Sequence, residues 1–208
     1  LNFRTKLLTH NTMSRISETI RDDHRQLDQI FQAVRSARTN QERLQWSKAF
    51  AFELARHCIS EEQVVLPILE DTLKDGKDRR EQMRSDHKSI REKLHKLMLI
   101  PFADVNFNQE LQALWVDLSA HIEDSETDDL VTLEGSLSTA ESKSLSHSFC
   151  QAKMLAAVGE HPQHDGIVHP ADLLREFLSI SGDSAAALDS TLGEDSAGTL
   201  TKRPRKTQ

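Results

Sequence analysis

Four stretches of this chain repeat apolar side chains at helical spacing, and each carries a histidine on its apolar stripe. His24 lies between Ile20 and Leu27, and His57 follows Leu54 by three residues. His87 precedes Ile90 by three, and His121 follows Leu118 by three. At 3.6 residues per turn, each ring is expected to face a helical core. A single histidine on an apolar face is usually a core residue with satisfied hydrogen bonds. Four of them, one per helix, each need partners for two ring nitrogens, and a shared cation would supply them.

The periodicity predicts helices over residues 14–36, 41–73, 78–98 and 108–138. Glycine and proline are scarce, 7 and 5 among 208 residues, and leucine, lysine, glutamate, arginine and glutamine dominate these stretches, which favours helix over strand. Short connections between long amphipathic helices predict an all-α, antiparallel up-down four-helix bundle over residues 14–138. A weaker fifth helix is expected over 141–158, within an accessory segment, 139–180, that ends in a loop and a short helix near 170–178. Residues 1–13 read as a leader or extension. Residues 181–208 are rich in serine, glycine, aspartate and alanine and read as a disordered tail.

Whether the histidines meet depends on their depth in the bundle. Partners at equal depth lie symmetrically about their turn. The midpoint of His24 and His57 falls at 40–41, in the predicted break, and that of His87 and His121 falls at 104, in the predicted loop. The midpoint of His57 and His87, 72, precedes the Asp75-Gly76 turn signal, which predicts an axial offset of about 8–12 Å at about 1.5 Å per residue. Pro67 is expected to bend the second helix.

Carboxylates sharpen the pattern. Glu61 is four residues after His57, about 40° away on one helix face. An imidazole and a carboxylate so placed suit iron, manganese or zinc. Glu126 is five residues after His121, about 140° round an ideal helix. It reads either as a ligand that reaches round or as part of a solvated acidic face with Glu123 and Asp124. Ser125, at the better-placed position, is a poor ligand.

The order His24, His57-x-x-x-Glu61, Asp86-His87, His121-x-x-x-x-Glu126 resembles the hemerythrin-like family, the HHE cation-binding domain. The resemblance covers residues 14–138 and is closest at His57-Cys58-Ile59-Ser60-Glu61-Glu62 and Asp86-His87-Lys88-Ser89-Ile90. It implies a non-haem metal site, usually di-iron, with His24, His57, His87 and His121 as terminal ligands and Glu61 and Glu126 as bridges. Another divalent metal is the alternative cofactor. Oxygen carriers have a second histidine on the third helix, but here those positions hold Met83 and Arg91, which implies an incomplete or open site. Three functions follow as expectations: a protein handling oxygen, iron or redox state, an oxidative enzyme acting on a small molecule, or a metal-free interaction bundle. Dioxygen or a small molecule is the expected partner.

Asp86, next to His87, reads either as a carboxylate that supports a metal-bound ring or, since adjacent helix positions point about 100° apart, as a solvated surface residue. His147, His161, His164 and His169 read as solvent-exposed, and Cys58 as a small apolar core residue. The net charge of −7 argues against a nucleic-acid binder. No apolar run approaches the roughly 20 residues of a membrane span. Two cysteines do not form a secreted disulfide framework, so a cytoplasmic location is expected, with Lys202-Arg203-Pro204-Arg205-Lys206 as an alternative nuclear signal.

Overall fold

The computed structural model describes residues 14–158 together with Leu174, Phe177 and Leu178. The expectations for the leader, the histidine-rich loop with His161, His164 and His169, the disordered tail and its basic end lie outside the described residues.

The fold is helical throughout the described residues. It comprises α1 (Ile16–Ser36), α2 (Asn40–Ser60), α3 (Leu66–Thr72), α4 (Gly76–Met98), α5 (Phe107–Asp124), α6 (Leu130–Ser136) and α7 (Thr139–Val158). Two π turns, Glu61–Val65 and Ser125–Asp129, join α2 to α3 and α5 to α6. The expected second and fourth helices are therefore each one long rod interrupted by a π turn, where the N–H of Leu66 reaches the carbonyl of Glu61 and that of Leu130 reaches the carbonyl of Ser125. The π turn over Glu61–Val65 interrupts the rod just before Pro67, which lies in the first turn of α3.

Capping fixes where the helices begin. The backbone N–H of Glu42 donates to Thr39 Oγ1 at 3.1 Å while Thr39 N–H donates to Glu42 Oε2 at 3.2 Å, a reciprocal box at the start of α2. Ser138 and Glu141 repeat it at α7, at 3.3 and 2.8 Å.

Helices α1 and α2 form one antiparallel hairpin and α4 and α5 another, with α7 laid against α1 and α2. The core is split in two. One cluster contains Leu27, Phe31, Phe50, Leu54, Ile90 and Leu118, joined by Leu174, Phe177 and Leu178. The other contains Ile16, Ile20, Leu69, Met83, Leu133 and Phe149. The histidine layer lies between them. Among the described residues, no helix is long and apolar enough to cross a membrane.

Candidate metal centre

The histidine layer is buried. His57, Glu61 and His87 are 0% exposed, and His24 and His121 are 2% and 3% exposed. Glu61 collects the rings: its Oε2 lies 3.2 Å from His57 Nε2, 3.1 Å from His87 Nε2 and 3.3 Å from His121 Nε2. One ligand atom from each of His24, His57, Glu61 and His121 falls within 4.8 Å of the others. His87 joins the layer at Glu61 and Glu62, four and five residues beyond His57 and so about one helical turn along α2. α4 begins at Gly76, two residues earlier than its periodicity predicts.

The outer ring nitrogens follow one rule: each Nδ1 faces a carboxylate from another helix. His57 Nδ1 donates to Asp23 Oδ2 at 2.9 Å, and His87 Nδ1 to Glu62 Oε1 at 2.9 Å. His24 Nδ1 donates to Glu126 Oε1 at 2.8 Å, and His121 Nδ1 faces Asp86 Oδ2 across 3.9 Å. The four contacts close a ring, because α1 supports α2, the first π turn supports α4, α4 supports α5, and the second π turn supports α1. An imidazole held by a carboxylate at Nδ1 presents Nε2 inward, as metal-binding histidines do.

The two halves are related as repeats. Asp23, His24, His57, Glu61 and Glu62 correspond in position to Asp86, His87, His121, Ser125 and Glu126, and each π turn begins four residues after its histidine. The correspondence breaks only where Glu61 faces Ser125. Glu126 therefore matches Glu62, an outer support, and not Glu61. Its placement does not give the bridging role the resemblance implies: it lies outside the inner cluster, 30% exposed, with Arg21 beside it at 3.8 Å.

The positions of the missing histidine have other work. Met83 is buried in the second apolar cluster. Arg91 donates to Glu62 at 3.1 Å and its guanidinium lies 4.8 Å from the Phe177 ring. Cys58 is buried in the first cluster and His147 is exposed.

Burial and neighbouring charges set the protonation of the layer. Burial pushes His24 down to about 3, helped by the charge on His57. Burial also opposes charge on His57, but Glu61 and Asp23 lift it to about 9; against the same opposition, Asp86 and Glu61 lift His121 to about 10. Burial would raise Glu61, yet His57 and His121 hold it well below the carboxylate range. Burial opposes the charge on Asp23 too, and Lys153 and His57 overcome it and hold the carboxyl well below its ordinary value. Three Nε2 atoms crowd one oxygen, while His24 Nε2, His57 Nε2 and Glu61 Oε1 are buried without a hydrogen-bond partner. Such atoms are costly to bury unpaired. These orphans face the inner cluster, and a metal ion is the group that satisfies lone pairs of both kinds. The donor set of imidazoles and a carboxylate suits iron, manganese or zinc.

Comparison with known proteins points to a cation-binding domain. The hemerythrin HHE cation-binding domain model matches residues 15–131. The chain belongs to the hemerythrin family. A hemerythrin-like protein of Schizosaccharomyces pombe, itself uncharacterized, is 36% identical over 190 residues, covering 91% of this chain and 90% of the relative. No solved structure matches. As a hemerythrin-like chain it is a helical bundle with a histidine and carboxylate cluster able to bind metal.

Asp23, Glu62 and Lys153 were not singled out by sequence pattern. The repeated Asp-His pair, Asp23-His24 and Asp86-His87, was the available signal for the outer carboxylates. The 100° between neighbours that suggests solvation for Asp86 is what aims it at a histidine on the next helix.

Proposed function

We propose that the centre holds two iron ions and that the protein handles dioxygen or redox equivalents. The observation that carries this reading is the pairing of the rings. The centroids of His24 and His57 are 4.9 Å apart and those of His87 and His121 are 5.0 Å apart, whereas His24 and His57 stand 6.4 and 6.3 Å from His121. Each pair would hold one ion, with Glu61 between them as the shared carboxylate.

Bound iron supplies dioxygen binding and electron exchange, and fewer protein donors than a closed structural site uses leave room for an outside ligand. The chain's own residues set the conditions. The outer carboxylates fix each ring's orientation and tautomer. Apolar layers from Leu54, Ile90 and Leu118 on one side and Met83 and Phe149 on the other exclude water. This burial favours a diatomic ligand over a bulky substrate, and so a binding or sensing protein over an oxidative enzyme. Two free cysteines, Cys58 and Cys150, fit a reducing compartment such as the cytoplasm.

Elemental analysis of freshly purified protein, with absorption spectra before and after air exposure, tests the reading. Two irons per chain and an oxygen-dependent near-ultraviolet band support it. The mutual proximity of His24, His57, Glu61 and His121 favours a second reading, a single ion held by four donors, and one metal per chain would select it. No metal at stoichiometric level, with melting unchanged by a chelator, would sink both.

A further inference from the structure

A buried charge cluster lies beside the centre and draws in Lys153 of α7, a helix beyond the residues matched by the family model. Lys153 Nζ contacts Asp23 Oδ1 and lies 3.3 Å from Glu53 Oε2. Arg56 completes a neutral quartet: its Nη1 donates to Glu53 Oε1 at 3.0 Å and its Nε to the carbonyl of Lys153 at 2.9 Å. The side chains of these four residues are at most 10% exposed.

Four buried charges are a poor way to fasten a helix, since apolar side chains of similar volume usually stabilise as well or better. The quartet is explained by what Asp23 does with its other oxygen. Lys153 holds Oδ1, and Oδ2 accepts from His57 Nδ1 at 2.9 Å. The other outer carboxylates lack such an anchor. The side chains of Glu62, Glu126 and Asp86 are 33%, 30% and 25% exposed, against 4% for Asp23. Their cationic neighbours Arg91 and Arg21 are 30% and 33% exposed.

We infer that Lys153 is a positioning residue of the metal centre: from α7 it fixes Asp23, and through Asp23 the ring of His57. The His24–His57 half of the site is thereby tied to α7, while the His87–His121 half rests on carboxylates that water reaches. The inference rests on the reading of His57 as a ligand in a two-iron site. It makes the two iron positions unequal, with α7 a working part of the centre.

The test uses the full chain, made metal-free and titrated with ferrous iron without oxygen against a competing chelator. Lys153→Met and Asp23→Asn are each expected to weaken iron binding about tenfold or more, the effect of losing an outer partner of a ligand. The double variant should lose no more than the larger single effect, because both act through one chain of contacts. Glu53→Gln, which removes the other partner of Lys153, should bind as wild type. Mössbauer spectra of the loaded Lys153→Met protein should show one of two iron signals shifted, a change that looser packing alone does not produce. Wild-type affinity in a folded Lys153→Met protein, additive effects in the double variant, or an equal shift of both signals would overturn the inference. If Lys153→Met loses its metal-free helical signal, Lys153→Gln is judged by the same outcomes. If the wild type binds no iron, the reading of the site fails and the inference falls with it; if only the variants behave as wild type, this inference alone fails.

Discussion

Glu62 and Glu126 are counterparts. Each stands five residues after a core histidine, and each accepts a hydrogen bond from the Nδ1 of a histidine on another helix, Glu62 from His87 at 2.9 Å and Glu126 from His24 at 2.8 Å. Both orient rings from outside the cluster, and among the described residues Glu61 is the carboxylate that reaches the Nε2 side.

This relationship separates two substitutions that look alike in sequence. Glu126→Gln should weaken iron binding about 10–100-fold, as loss of an outer partner does, while leaving stoichiometry intact at saturating metal. Glu61→Gln should lower the stoichiometry itself, because it removes the carboxylate shared by three rings. Competition titrations check both. A Glu126→Gln protein that holds fewer ions at saturation would restore Glu126 to a direct ligand.

The hairpin between α3 and α4 depends on a glycine. A Cβ on Gly76 would lie 2.1 Å from the Leu69 carbonyl oxygen and 2.7 Å from Glu70 Cα, both backbone atoms that cannot swing aside. Gly76→Ala should destabilise the fold by about 1–3 kcal/mol, the range for forced overpacking. Gly135→Ala, with nothing within 4 Å of the added carbon, should be neutral or gain about 0.5–1 kcal/mol from helix propensity. Urea unfolding of the metal-free chain separates them, and equal midpoints would contradict the close approach.

Acid should loosen the junction of α1, α6 and α7. Burial works to raise Glu134, but the backbone N–H of Ser17 at 3.1 Å, the Ser142 hydroxyl at 2.8 Å and Arg15 at 2.9 Å hold it below its ordinary 4.5. A carboxyl depressed in the folded state stabilises above its unfolded value, and that contribution is lost as pH falls through the folded one. Wild type should therefore melt above Glu134→Gln at pH 7, with the gap closing below about pH 4.5. A gap that is constant from pH 7 to pH 3 would refute the assignment.

Periodicity made the helices legible because apolar stripes are a local property. The rings of His24, His57, His87 and His121 could be placed on the core side for the same reason, and Glu61 followed from its four-residue spacing to His57. The π turns were not legible, since Glu61–Val65 and Ser125–Asp129 carry no residue type peculiar to them. That is why the rods read as continuous. Asp23 and Glu62 escaped, and the rings that Asp86 and Glu126 face were not foreseen, because each serves a ring on another helix, a relation between distant positions. Lys153 escaped because a buried cation on the fifth helix has meaning only once Asp23 is in place.

The proposed centre has two ions around Glu61, one between each histidine pair. Anaerobic titration of the metal-free full chain with ferrous iron tests it most directly. Saturation is expected at two equivalents per chain in the wild type and at fewer in Glu61→Gln. Saturation at one equivalent, or no saturable binding, would contradict it.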